Sequence, residues 1–236
     1  SSKILNEERP IIVSLPKYYE DTNSNYPVMY VLDGLQNIKH IVGTVELLTE
    51  SGIIAPMIIV GIESLDRARD LTPSNAGKNV NGGAGNSGIP QSGGAPKFLD
   101  FMSSELIPFI EQNFKTLPYR ILQGHSFGGL FGGYAMMEKP DLFDAYMIQS
   151  PAFWWNNEEM TQKAKTFFKN KAVFNKRIYF GIGEDDGWGM KQELKRFIKV
   201  FEEQTPKNFV WKHEEIPDED HMSARLLLNY NGLKYI

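Results

Sequence analysis

The chain has 236 residues, of which 42% are hydrophobic and 23% charged, with a net charge of −4 at pH 7. These values predict one globular domain over residues 1–236 with a sizeable core. The mixed charges argue against nucleic acid or an anionic membrane as the main partner, and no apolar run is long enough to span a bilayer. The absence of cysteine excludes disulfides, thiolate metal sites and a cysteine nucleophile. No signal-peptide pattern begins at Ser1, so the compartment stays open between cytoplasm and periplasm.

The first half of the chain alternates apolar runs with helical patterns. Apolar runs predict strands, and three- and four-residue apolar spacing predicts helices. The predicted elements are strands at Pro10–Leu15, Tyr26–Leu32 and Met57–Ile62 and helices at about Ile38–Thr49 and Lys97–Phe114. Residues 72–96 are rich in Gly, Asn, Ser and Pro without periodicity, which predicts a long loop of the kind that is usually functional or mobile.

A glycine-flanked serine follows the next apolar strand. Gly124-His125-Ser126-Phe127-Gly128 has a strand before it and a small-residue helix after it. This context is typical of the nucleophile elbow of an α/β-hydrolase, in which glycines permit the sharp turn and the serine hydroxyl is exposed at a helix N-terminus. Ser126 is therefore the candidate nucleophile.

Strands and helices keep alternating after the elbow. The predicted elements are strands at Ala145–Gln149, Arg177–Gly183 and Phe209–Glu214 and helices at Asn157–Asn170, Met190–Glu203 and Ala224–Asn229. This alternation predicts an α/β fold, the α/β-hydrolase fold, with a mostly parallel central sheet and helices on both faces.

A serine nucleophile needs a base, and the base needs a carboxylate that orients it. In α/β-hydrolases both follow the serine, acid first. Glu184, Asp185 and Asp186 follow a buried strand and reach the carboxyl edge of the sheet, where sites form. Asp186 has the Gly-x-x-Asp spacing from Gly183 and is favoured over Glu184, and Glu184 over Asp185.

Four histidines are present, and their positions separate their roles. His221 lies in a late polar loop and is the candidate base, whereas His213 alternates within a strand. His125 is expected to pack beside the elbow, and His40 falls in an early helix.

The oxyanion of the reaction requires two backbone N–H groups. One is expected from Phe127, which follows the nucleophile. The other is expected from Leu35 in the Asp33-Gly34-Leu35 turn after the second strand. An ordinary Asp-Gly turn is the alternative interpretation of that tripeptide.

Five segments resemble the putative-esterase family of α/β-hydrolases, which includes esterase D, the enterochelin (ferric enterobactin) esterases and the bacterial mycolyltransferases. They are Tyr26–Gly34, Arg67–Ser74, Gly124–Phe131, Ser150–Trp155 and His221–Tyr235. They occur in the family's order, and the similarity covers nearly the whole chain. The siderophore (enterochelin) esterase-like branch is the most similar.

The resemblance implies that Ser126 is the nucleophile and His221 the base. The mycolyltransferases share the Asp-Gly-Leu loop, which supports Leu35 and Phe127 as oxyanion donors. The acid position varies across the family, and some siderophore esterases use a Ser–His dyad.

Substrate contacts are also implied. Arg67 resembles an arginine that siderophore esterases place near the substrate, and Trp154 and Trp155 follow a Ser-Pro that resembles the family's pocket wall. Arg67 and Arg69 could instead pair with Asp66 or Asp70, and the tryptophans could be core residues. The loop of residues 72–96 is expected to act as a lid above an anionic or catecholate substrate.

The sequence thus predicts a serine esterase that acts on a small-molecule ester without metal or cofactor. The ester could be a trilactone siderophore, a carbohydrate ester or a simple acyl ester. An acyltransferase of the mycolyltransferase type and a catalytically inactive binding module are the alternatives. The oligomeric state stays open.

Overall fold

The described residues form seven strands in one sheet. The structure, a computed structural model, describes residues 1–76, 91–169, 171–187, 189–204 and 206–236. The strands are β1 (Ile11–Ser14), β2 (Tyr26–Leu32), β3 (Ile58–Ile62), β4 (Thr116–His125), β5 (Ala145–Gln149), β6 (Val173–Gly183) and β7 (Lys207–Ile216). Their order is β1-β3-β2-β4-β5-β6-β7, and only β1 is antiparallel to its neighbour among them.

Helices cover both faces of the sheet. They are α1 (Gly34–Glu50), α2 (Arg67–Leu71), α3 (Ala95–Phe101), α4 (Ile107–Asn113), α5 (Phe127–Glu138), α6 (Trp155–Lys169), α7 (Met190–Glu203) and α8 (Arg225–Tyr235). Buried residues of α1 and α8, such as Ile41 and Leu228, pack on one face with Met147 of β5. Phe131 of α5 and Phe197 of α7 belong to a second apolar cluster, which they form with a different set of strand residues. The predicted α/β fold with a mostly parallel sheet is confirmed.

One predicted helix is interrupted. The apolar spacing over Lys97–Phe114 predicts a single helix, but the structure has a π-helical segment at Met102–Leu106 between α3 and α4. Pro108 explains the break, because proline has no N–H to donate to the carbonyl of residue 104 and its ring crowds that turn. Helix α3 also begins at Ala95, inside the segment predicted as loop. Residues 77–90 of that predicted loop and lid lie outside the described residues.

A row of buried amides lies between the sheet and the helices α1 and α8. Gln123 Nε2 donates to Gln149 Oε1 at 3.0 Å, and Gln149 Nε2 donates to Asn229 Oδ1 at 2.8 Å. Asn229 Nδ2 lies 2.9 Å from His40 Nδ1 at the end of the row. The row pairs both ends of the Gln149 and Asn229 amides and the Nε2 of Gln123, while Gln123 Oε1 has no hydrogen-bond partner among the described residues; all three amide residues are at most 1% exposed.

Candidate active site

Ser126 lies on a strained turn between β4 and α5. Its φ and ψ are 61° and −114°, a positive φ that a non-glycine residue seldom adopts. A Cβ at Gly124 would lie 2.2 Å from the carbonyl oxygen of Gly128, so the two arms of the turn approach too closely for any side chain there. The Ser126 N–H donates to Gln149 O at 3.0 Å and ties the turn to β5. The serine is partly exposed at the carboxyl edge of the sheet.

Asp186 and His221 form a hydrogen-bonded pair at the same edge. His221 Nδ1 lies 3.0 Å from Asp186 Oδ1 and 3.2 Å from Oδ2. The Asp186 side chain is 0% exposed and that of His221 is 18% exposed. A carboxylate can only accept, so Nδ1 carries the proton and the neutral ring has a basic Nε2. The structure thus brings together the two residues that the sequence singles out as acid and base.

The other acidic candidates point elsewhere. Glu184 is exposed, and its Oε2 accepts from the N–H of Asp218 at 3.4 Å. Asp185 is also exposed and donates through its backbone N–H to Glu219 O at 3.0 Å. These bonds hold the β6–α7 turn against the loop that carries His221. Glu184 and Asp185 therefore help to shape the surroundings of the Asp186–His221 pair.

The remaining histidines differ in position. His125 packs against His221, with ring centroids 4.4 Å apart. His213 lies in β7 opposite Phe180, and His40 lies on α1 at the end of the amide row. Burial lowers the pKa of all three imidazoles, for His125 well below 6.5. These histidines are therefore neutral near pH 7.

The two backbone N–H groups expected to bind the oxyanion have different surroundings. Phe127 is the first residue of α5, where an N–H has no partner within the helix. The N–H of Leu35 donates to Glu63 Oε2 at 3.0 Å. Asp33 precedes α1 with φ 53° and ψ 52°, and its side chain does not cap that helix. Glu63, from the loop after β3, caps the helix instead.

Arg67 joins three parts of the site edge. Its Nε donates to both carboxylate oxygens of Asp33, at 3.0 and 2.9 Å, and a terminal nitrogen donates to His125 O at 2.9 Å. Its guanidinium carbon also lies 5.2 Å from the centroid of the Phe127 ring. Burial raises the pKa of the Asp33 carboxyl, and the nearby Arg67 opposes this rise. The carboxylate partner of Arg67 is thus Asp33, and not Asp66 or Asp70, the alternative partners that the sequence suggests.

Arg69 belongs to a separate ion-pair network. Its Nε donates to Asp70 Oδ1 at 2.7 Å, and its terminal nitrogens donate to the carboxylate of Glu7. Arg9 completes the network through Asp70 and Glu7. Asp66 caps α2 by accepting from the N–H of Arg69 at 3.0 Å. The network ties the N-terminal segment to α2.

Aromatic rings pack against Phe127, the residue after Ser126 in the elbow. The Phe127 ring lies 5.9 Å from Trp154 and 5.4 Å from Trp155, centroid to centroid. Trp155 is fully buried, and its indole N–H donates to Ser74 O at 3.1 Å. Trp154 is partly exposed, so of the two tryptophans it is the one that can contact a bound molecule.

Groups of acidic, histidine or cysteine residues that could hold a metal ion are absent from the described ranges. Within the same ranges, no helix is long and apolar enough to cross a membrane.

Comparison with known proteins decides the family. The model of the family described as "Putative esterase" matches residues 2–224. The chain belongs to this family. The predicted resemblance is thereby confirmed over nearly the whole sequence.

Two curated relatives and one solved structure are similar to the chain. A siderophore enterobactin esterase of Emericella nidulans is 36% identical over 129 residues, which cover 50% of this chain and 42% of that protein. A siderophore triacetylfusarinine C esterase of Aspergillus fumigatus is 31% identical over 180 residues, covering 69% of this chain and 58% of that protein. The chain thus matches about half the length of these relatives. An IroE-like serine hydrolase from Shewanella oneidensis is 29% identical with a TM-score of 0.87, covering 99% of this chain and 77% of that one.

Proposed function

We propose that the chain is a serine esterase that hydrolyses a carboxylic ester through an acyl-enzyme on Ser126. The Asp186–His221 pair carries this proposal. A buried carboxylate on Nδ1 leaves Nε2 of His221 as a base, and His221 contacts His125, the residue directly before the serine on the strained elbow. The family and the serine hydrolase with the same fold support the same chemistry.

The reaction follows from these groups. Ser126 Oγ attacks the ester carbonyl while His221 Nε2 takes the hydroxyl proton, and Asp186 stabilises the imidazolium that forms. The N–H groups of Phe127 and Leu35 bind the tetrahedral oxyanion. The intermediate collapses as His221 protonates the leaving alcohol. Water, activated by His221, then releases the acid and restores the serine.

We propose a siderophore-type ester as the substrate class. The relatives from Emericella nidulans and Aspergillus fumigatus are named for esters of this kind. In this chain, Trp154 offers a partly exposed ring for an aromatic or apolar group, and Arg67 offers a cation for an anionic one. Trp155, buried and bonded to Ser74 O, packs behind Trp154 at 5.8 Å between ring centroids, whereas Arg69 is bound in its own network with Glu7 and Asp70.

Active-site labelling together with hydrolysis tests the function. Wild-type protein should react with a fluorophosphonate probe and hydrolyse p-nitrophenyl acetate and a catecholate trilactone. The Ser126→Ala variant should keep the circular dichroism spectrum, lose labelling, and lose about 10⁵-fold or more in ester turnover. Labelling of the variant at the wild-type rate would overturn the assignment. Product analysis with an added acceptor alcohol separates hydrolysis from acyl transfer.

A matched pair of arginine variants tests the substrate class. Arg67→Ala should raise KM for an anionic catecholate ester about tenfold and leave KM for p-nitrophenyl acetate unchanged, because one charge-assisted bond contributes about 1.5 kcal/mol or more. Arg69→Ala, which removes the outer network only, should leave both values unchanged. Equal losses on both esters with a lower melting temperature would show that Arg67 acts through its bond to Asp33 alone.

A further inference from the structure

His125, the residue before the candidate nucleophile, contacts the candidate base in two ways. Its Nε2 lies 2.7 Å from the backbone oxygen of His221. The two imidazole rings pack at a centroid distance of 4.4 Å with 46° between their planes. His125 is only 6% exposed, so both contacts lie inside the protein. The elbow and the base loop therefore meet at this side chain.

The protonation state of His125 follows from its surroundings. Burial lowers its pKa well below 6.5, and the nearby His221, Arg225 and Arg67 act in the same direction. A neutral imidazole has one N–H, and a backbone oxygen can only accept. The proton is therefore on Nε2, and His125 is a fixed donor to His221. A neutral ring also adds no positive charge beside the imidazolium that His221 becomes during the reaction.

The loop that carries His221 is held at several points. Asp220 Oδ1 accepts from the N–H groups of Met222 and Ser223, both at 2.8 Å, which fixes the shape of the loop. The backbone of Asp185 ties it to β6. These bonds fix the conformation of the loop and its position relative to the turn that carries Asp186. The bond from His125 fixes the position of the loop relative to Ser126.

We propose that His125 is a positioning residue that fixes the distance between the base and the nucleophile by donating its Nε2–H to the His221 carbonyl. Ser126 follows His125 directly in the chain, and the accepting carbonyl belongs to His221 itself. Only a few covalent bonds therefore separate this hydrogen bond from the reacting group on each side. A shift of about 1 Å in such a pair can cost about 100-fold in rate. This inference depends on the proposed roles of Ser126 and His221.

Two amide variants that differ by one methylene test the inference. Gln Nε2 is as many bonds from Cα as His Nε2, so His125→Gln keeps a donor that reaches the His221 carbonyl. His125→Asn has the same amide but is too short. We expect the glutamine variant to keep at least about a third of the wild-type kcat and the asparagine variant to lose about 10- to 100-fold, with KM within about twofold in both. His125→Phe, which keeps the ring and removes the donor, should behave like the asparagine variant.

A control removes buried polarity without touching the base. Gln123→Leu, two residues earlier in β4, breaks the bond to Gln149 and should lower the melting temperature while leaving kcat within about twofold. Equal kcat values for the glutamine and asparagine variants, or a wild-type kcat in the phenylalanine variant, would overturn the inference. The proposed function fails separately, if the wild-type protein neither labels with a fluorophosphonate nor hydrolyses esters.

Discussion

The two sides of the candidate site differ in how far their hydrogen-bonding groups are already positioned for catalysis. On the base side, Asp186 and His125 are buried and both hold His221 at hydrogen-bonding distance. On the oxyanion side, Leu35 is 61% exposed and its N–H is bound to the carboxylate of Glu63. In the proposed mechanism the base is thus organised before a substrate arrives, whereas the negative oxyanion must replace the carboxylate of Glu63 at the N–H of Leu35. The difference indicates that substrate binding completes only the second side.

Breaking the base side should have the largest effect. His221→Ala should lower kcat by about 10⁵-fold or more, because no group then takes the proton of Ser126. His213→Ala is the matched control, since it removes an imidazole from β7 that does not lie at this edge, and it should leave kcat within about twofold. Turnover of p-nitrophenyl acetate measures the effect of both substitutions. A loss confined to the His213 variant would mean that His213, and not His221, is the base.

The acid should matter almost as much. Asp186→Asn should lower kcat by about 10³- to 10⁴-fold, because an amide can donate to Nδ1 and favour the wrong tautomer. Glu184→Gln changes an exposed carboxylate two residues earlier and should have little effect. Near-normal turnover by both variants would mean that Ser126 and His221 work as a dyad or take their acid from another residue.

The oxyanion side should respond in the opposite direction. Glu63→Ala frees the N–H of Leu35 and removes a nearby negative charge, so kcat/KM should rise about two- to fivefold, a small part of what one oxyanion donor contributes. The free energy of unfolding should fall by about 1 kcal/mol, because α1 loses its cap. Glu46→Ala, which removes an exposed carboxylate from α1 itself, is the charge control. A lower kcat/KM in the Glu63 variant would mean that its carboxylate orients Leu35 for catalysis.

The smallest predicted effect is a pH dependence of stability on the base side. Unfolded His125 binds a proton below about pH 6.5, whereas burial keeps the folded residue neutral well below that pH. The unfolded state then binds more protons, so the free energy of unfolding falls with decreasing pH by up to about 1.4 kcal/mol per unit. Urea unfolding at pH 7.5, 6 and 5 should show a shallower fall for His125→Gln than for the wild type. The same slope in both proteins would contradict the prediction.

Local patterns in the sequence were sufficient to predict the turn at Ser126 and to select Asp186 and His221, which the structure brings together. The glycines around Ser126 encode the turn. The Gly-x-x-Asp spacing from Gly183 favours Asp186 over Glu184, and in the structure Asp186 is buried whereas Glu184 is exposed. His221 is distinguished by its loop. These signals are contained within a few neighbouring residues.

The oxyanion side could not be predicted in the same way. The bonds Arg67–Asp33 and Glu63–Leu35 join residues 34 and 28 positions apart. Both depend on β2 and β3 being neighbours in the sheet, which brings the turns after these strands together. Sequence spacing carries no signal for such pairs. The break at Met102–Leu106 was missed for a different reason, because apolar spacing does not register the missing N–H of Pro108.

The row of amides beneath the elbow has an evolutionary consequence. Each amide has a donating and an accepting end, so Gln123, Gln149 and Asn229 must all face the same way to satisfy one another. His40 ends the row as an acceptor on Nδ1, which fixes its tautomer. Replacing Asn229 by aspartate would remove the N–H that donates to His40. A hydrogen bond between the two residues would then require a proton on Nδ1 of His40. These four positions are therefore expected to covary among related proteins, as one inherited unit that spans two strands and two helices.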